Sequence, residues 1–117
     1  NREGTRFVHI QVKTYVPGNK TVSVGKKAEN NYGRNFIWVL GGIPLANSDK
    51  PFEYYVIPSP EMSKHVAEAH NLWLGAKGMK GQDHNDSSVR VINLPPHASF
   101  SGWKIDEYKN KWEIIDP

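Results

Sequence analysis

Gln11 and Lys13 stand two residues apart in the run Phe7-Val8-His9-Ile10-Gln11-Val12-Lys13-Thr14-Tyr15. Val8, Ile10 and Val12 alternate with His9, Gln11 and Lys13, the period of two that marks a β-strand. An amide oxygen and an ammonium therefore project from one face, about 7 Å apart along the strand. Side by side on a pleated surface, the two suit a site that handles phosphate together with a hard metal ion. The oxygen is the kind of ligand such an ion takes, and the ammonium offsets charge on a phosphate. The competing reading is an ordinary polar sheet face. His9 lies on the same face, as a phosphate contact or as a sheet neighbour.

Charge favours a polyanion near this strand. Residues 1–34 carry seven basic side chains (Arg2, Arg6, Lys13, Lys20, Lys26, Lys27 and Arg34) against Glu3 and Glu29, a net of +5. Residues 35–117 carry eight basic and ten acidic groups, a net of −2, within a whole-chain charge of +3. A basic cluster of this kind attracts nucleic acid, although a solvated face is the commoner origin of so modest a patch. Lys26 and Lys27 are candidate phosphate contacts, as is Arg34.

The elements that must position these groups follow from hydrophobic pattern and turn chemistry. The first strand spans 7–15 and ends at Val16-Pro17-Gly18-Asn19-Lys20. Thr21 to Val24 is a short strand or extended segment, and Gly25 to Asn31 a helical turn. Asn35 to Leu40 is a nearly continuous apolar run, as in a strand covered on both faces. Gly41 to Pro51 reads as a loop, and Phe52 to Ile57 as a third strand. Ser59 as N-cap, Pro60 at the first helical position and Glu61 in the first turn open a helix. Met62, Val66, Ala69 and Trp73 form its apolar stripe, and Gly78 ends it. Residues 78–88 form a polar loop, and Arg90 to Leu94 a short strand or irregular segment. Ile105, Tyr108, Trp112 and Ile115 fit a second amphipathic helix. The order predicts an α/β fold with a mixed central sheet flanked by helices, in a single domain spanning 1–117.

Several classes of function find no support. With no cysteine there is no disulfide framework or thiolate metal site, which fits a reducing, cytoplasmic setting. No run approaches the ~18 apolar residues of a membrane span, so no membrane partner is expected. Neither a GxGxxG fingerprint nor a Walker A loop occurs, and no Ser/His/Asp arrangement stands out. His65 and His70 are five apart, not the four of a shared helical metal site, and read as packing residues. His84-Asn85-Asp86 lacks the flanking pattern of a His/Asn nuclease motif. Trp38, Trp73 and Trp112 occupy core-facing spacings, which leaves Trp103 as the candidate exposed aromatic.

Taken as an ordered series, the chain resembles the PD-(D/E)xK superfamily, the restriction-endonuclease-like fold, in those bacterial branches whose last motif element reads Gln-x-Lys. The series comprises Ile10-Gln11-Val12-Lys13-Thr14, then Gly25-Lys26-Lys27-Ala28-Glu29, then Phe36-Ile37-Trp38-Val39. Tyr54-Tyr55-Val56-Ile57-Pro58-Ser59 leads into a helix carrying His70 and Trp73, and Tyr108 and Trp112 follow. The ordered series, rather than Gln-x-Lys alone, carries the resemblance.

The resemblance implies Mg²⁺- or Mn²⁺-assisted hydrolysis of DNA. Gln11 would be a metal ligand through its side-chain oxygen and Lys13 the catalytic cation, with Lys13, Lys26, Lys27, Arg34 and His9 toward the nucleic acid. One departure stands out. The family's aspartate belongs on a strand before residue 7, where Glu3 is the sole carboxylate. Two readings follow. The favoured one is the C-terminal portion of such a domain, lacking its first helix and strand. The other is a degenerate relative that binds DNA or protein without cutting. An edge strand left open by truncation would also permit a homodimer.

Overall fold

A computed structural model describes residues 7–75, 89–99 and 101–116. Among these residues five strands and one α-helix follow in the order β1 (His9–Tyr15), β2 (Thr21–Ser23), β3 (Phe36–Gly42), β4 (Glu53–Pro58), α1 (Ser59–Gly75) and β5 (Val91–Asn93). Three short 3₁₀ turns lie at Lys26–Glu29, Asp106–Tyr108 and Trp112–Ile114. The principal sheet has the order β1-β3-β4, with β1 parallel and β4 antiparallel to β3. A parallel neighbour requires a crossover, which residues 16–35 supply. On the way they place β2, which pairs antiparallel with β5 in a second, two-stranded sheet. The molecule is thus mixed α/β, as the pattern predicts.

Burial explains the apolar run of β3. It is central, and Ile37 through Gly42 are all buried. Its front face carries Trp38 and Leu40 into the larger core, with Tyr55 and Ile57 from β4, Met62 and Val66 from α1, and Val22, Val24, Ile92, Leu94 and Ile105. The back face carries Ile37 and Val39 against Val56, with Ile114 and Ile115 packed on them. Helix α1 follows β4 without a loop and lies over β3 and β4. The expected cap is absent: Ser59 is already helical, and its hydroxyl accepts the Tyr32 N–H at 2.9 Å and donates to the Asn30 carbonyl at 3.2 Å.

Residues 105–115 depart from expectation. In place of a second amphipathic helix they form the two 3₁₀ turns, joined through Asn110, whose φ of 55° is left-handed. The segment is held as an edge rather than as a helix. Lys109 bridges to Tyr55, and the Asn110 N–H donates to the Tyr54 carbonyl at 2.9 Å. Backbone pairing along β4 here replaces the hydrogen bonds a helix would have made internally. The sheet is therefore flanked by one α-helix, not several, among the described residues. No helix among them is long and apolar enough to cross a membrane.

Candidate nucleic-acid interface

β1 forms one edge of the principal sheet. Its register with β3 sets His9 beside Phe36, Gln11 beside Trp38, Lys13 beside Leu40 and Tyr15 beside Gly42. The His9 N–H donates to Asn35 at 2.8 Å, and the Tyr15 carbonyl accepts from Ile43 at 2.9 Å. In a parallel ladder alternate residues serve alternate neighbours. The backbone groups of Ile10, Val12 and Thr14 therefore face the outer edge, where no strand pairs with β1 among the described residues. On the back face Ile10 and Val12 are exposed, at 44% and 54%.

Gln11 and Lys13 thus share the front face of β1, as their spacing predicts, and each is half-buried. The face deepens toward Tyr15, which is buried. Among the described residues neither Gln11 nor Lys13 has a hydrogen-bond or ion-pair partner. An amide N–H and an ammonium in this state keep their donor capacity for an acceptor outside the chain.

His9 begins the same row and carries an aromatic assembly. Its ring stacks on Phe36 with centroids 4.4 Å apart and planes 12° from parallel. Tyr32 stacks on Phe36 at 4.6 Å and 26°. Two near-parallel rings at such distances from one phenyl must lie on its opposite faces, so Phe36 is sandwiched. Tyr32 is fixed through its backbone N–H to Ser59 and through its hydroxyl, which accepts from Asn30 Nδ2 at 3.0 Å. Hydrophobic pattern places Phe36 in a buried strand and gives no signal for Tyr32. A three-ring stack leaves no periodic trace, because Tyr32 reaches it from a loop.

Of the remaining candidates, Lys26 and Lys27 are exposed on the 3₁₀ turn, which packs against α1. Arg34 is paired with Glu61 at 3.2 Å but stays 68% exposed. Glu29 adds little negative potential here, since its carboxylate is bound by the buried Arg90 guanidinium at 2.8 Å. Residues 7–34 thus hold one acidic side chain, itself neutralised, beside four lysines, while Arg34 is offset by Glu61 from α1. Trp103 is not an exposed aromatic. It is half-buried and stacks on His65 at 4.4 Å and 9°, with Tyr108 edge-on. Trp112, expected to face the core, is 44% exposed and packs its ring on Tyr54 at 5.4 Å. His84-Asn85-Asp86 lies outside the described residues.

The donor chemistry at Gln11 bears on a divalent ion. Mg²⁺ is held by carboxylates and waters in octahedral geometry. Across the ladder from Gln11 and Lys13 stand Trp38 and Leu40, whose side chains carry no oxygen. The buried polar atom without a partner at that register, Trp38 Nε1, is a donor and cannot bind a cation. Glu53, on the same face two strands away, has its Oε1 engaged by the Tyr15 hydroxyl at 2.7 Å. Gln11 and its described neighbours do not by themselves fit the ion.

A separate cleft of about 530 Å³ lies between α1 and β5, lined by Val66, Ala69, His70, Trp73, Arg90 and Asn93 among others. Its walls are largely apolar, and its guanidinium is held by Glu29. No protein-family model, curated protein or solved structure matches the chain.

Proposed function

We propose that this chain is a DNA-handling domain of restriction-endonuclease type, and that the front face of β1 is where the phosphate backbone sits. The observation that carries the reading is the placement of Gln11 and Lys13. They lie together on an edge strand, half-buried, on one face with His9, and without partners among the described residues. Lys13 neutralises a phosphate, Gln11 donates its amide N–H to a phosphate oxygen, and Lys26 and Lys27 add longer-range attraction.

Hydrolysis is the activity the resemblance implies for this face, with Lys13 as the cation that offsets charge on the phosphate under attack. It requires, besides, a carboxylate beside Gln11, which the described residues do not supply. Binding needs nothing further. The outer edge of β1 is also where a second copy would add by strand pairing, which sedimentation measures directly.

The test is DNA affinity by fluorescence anisotropy at two salt concentrations, with a parallel cleavage assay in Mg²⁺ or Mn²⁺. Salt-sensitive binding weakened by Lys13→Ala supports the reading. Affinity indifferent to salt and to Lys13 overturns it. Cleavage abolished by Lys13→Ala would make the domain a nuclease.

A further inference from the structure

We propose that His9, backed by Phe36 and Tyr32, is a stacking platform for one unpaired base, so that the ligand of this face is a single strand or a single-stranded overhang rather than an uninterrupted duplex. The inference rests on the DNA-handling role proposed above and adds the class of nucleic acid.

The geometry of the stack carries it. His9 and Phe36 are register partners on neighbouring strands, so their rings stack across the sheet. With one imidazole face against Phe36, the other is turned away from β3, toward the open edge of β1. His9 is exposed, and so is Tyr32 at the far end of the stack, at 45%. If the assembly served only to cover Phe36, its two outer rings would be expected to pack against further side chains. Instead both residues are exposed, while their inner faces are fixed by contacts of 4.4 and 4.6 Å. A ring already held in place loses little freedom when a base stacks on it.

The neighbouring groups fit the rest of a nucleotide. Gln11 and Lys13 continue the His9 row along β1, at roughly 7 and 13 Å from it. A base lying on the imidazole therefore has an amide and an ammonium along the path its phosphates follow. Stacking of this kind tolerates any base and needs one that has left its duplex partner. A blunt duplex exposes only the outer face of a terminal pair that is still hydrogen-bonded, and its interior bases are already stacked on each other.

The experiment compares a single-stranded oligonucleotide with a blunt duplex of the same sequence, by anisotropy at one salt concentration. The single strand also carries 2-aminopurine, whose fluorescence reports stacking. The expected result is tighter binding of the single strand, with the probe quenched on binding. His9→Ala should lower the single-strand preference roughly five-fold or more. His9→Phe, which keeps a flat ring on Phe36, should retain it, and thermal melts confirm that both variants fold. Equal affinity for the two forms, with Lys13→Ala weakening both, overturns this inference and leaves the DNA-handling role standing. A single-strand preference that His9→Ala does not change also overturns it. Failure of either form to bind overturns both.

Discussion

Tyr15 and Glu53 meet over the central strand: the Tyr15 hydroxyl donates to Glu53 Oε1 at 2.7 Å, and β3 passes beneath them at Gly42. The contact ties the two outer strands together at the end where the Gln11–Lys13 row is most buried. It also explains why β3 ends in glycine. A Cβ at Gly42 would lie 2.5 Å from Glu53 Cγ and 2.9 Å from the Tyr15 ring. Gly42→Ala is therefore expected to destabilise the fold by about 1–3 kcal/mol, the usual cost of overfilling a packed site. Urea unfolding measures it, and an unchanged midpoint would show that the crossing is looser than described.

The same tyrosine gives the fold an alkaline limit. Burial, then the hydrogen bond to Glu53, pushes the Tyr15 hydroxyl far above its ordinary value of 10.0. Burial likewise raises Tyr55, and pushes Tyr108 up to about 12. In the unfolded chain all three ionise near 10, so above that pH the unfolded state binds fewer protons than the native one. Stability is then whole below pH ~10 and falls as pH rises beyond it. Tyr15→Phe should lower stability at neutral pH by about 1 kcal/mol, the worth of one hydrogen bond to a half-exposed carboxylate. It should also flatten the alkaline decline. A melting temperature that does not fall between pH 9 and 11 would contradict this.

His65 sets a weaker limit on the acid side. Burial against Trp103 and the nearby Lys64 lower its pKa from 6.5. A group depressed in the folded state is protonated first in the unfolded chain, so its contribution is present above pH ~6.5 and is lost as pH falls. His65→Phe, which preserves a ring on Trp103, is expected to remove this part of the acid sensitivity in thermal melts from pH 7 to 5. An identical profile would mean that other groups govern it.

Arg90 is the buried charge on which the smaller sheet depends. Its side chain is 3% exposed, and Glu29, at 20%, receives its Nε at 2.8 Å. The pair joins the 3₁₀ turn of the crossover to β5, while the Arg90 carbonyl accepts from Val24 at 2.9 Å. Glu29→Gln keeps the shape but removes the carboxylate charge that receives the Arg90 Nε–H. The expected loss is about 1.5–3 kcal/mol, toward the lower end because Glu29 is not fully buried. A neutral outcome would show that Arg90 is compensated elsewhere.

Much of this architecture was legible because strand and helix periods are local properties. Phe7 to Tyr15, Asn35 to Leu40 and Phe52 to Ile57 each announce a strand by alternation or by apolar, aromatic and β-branched content. Met62 and Val66 marked the buried face of α1. What escaped was set by partners distant in sequence. Ile105, Tyr108, Trp112 and Ile115 have helical spacing, yet backbone pairing of Lys109 and Asn110 with β4 draws them into 3₁₀ turns. Trp103 looked exposed between Gly102 and Lys104 until His65, across the fold, covered it. Of the candidate interface, the shared face of His9, Gln11 and Lys13 followed from period two alone. The sandwich around Phe36 did not, because it joins a loop residue to two strands.

If Lys13 holds a phosphate, the salt dependence of DNA binding must report it. With anisotropy followed across a range of salt concentrations, Lys13→Ala should weaken binding to every sequence alike and reduce the slope of log affinity against log salt by about 1. A slope and affinity unchanged from those of the unaltered chain would contradict the account.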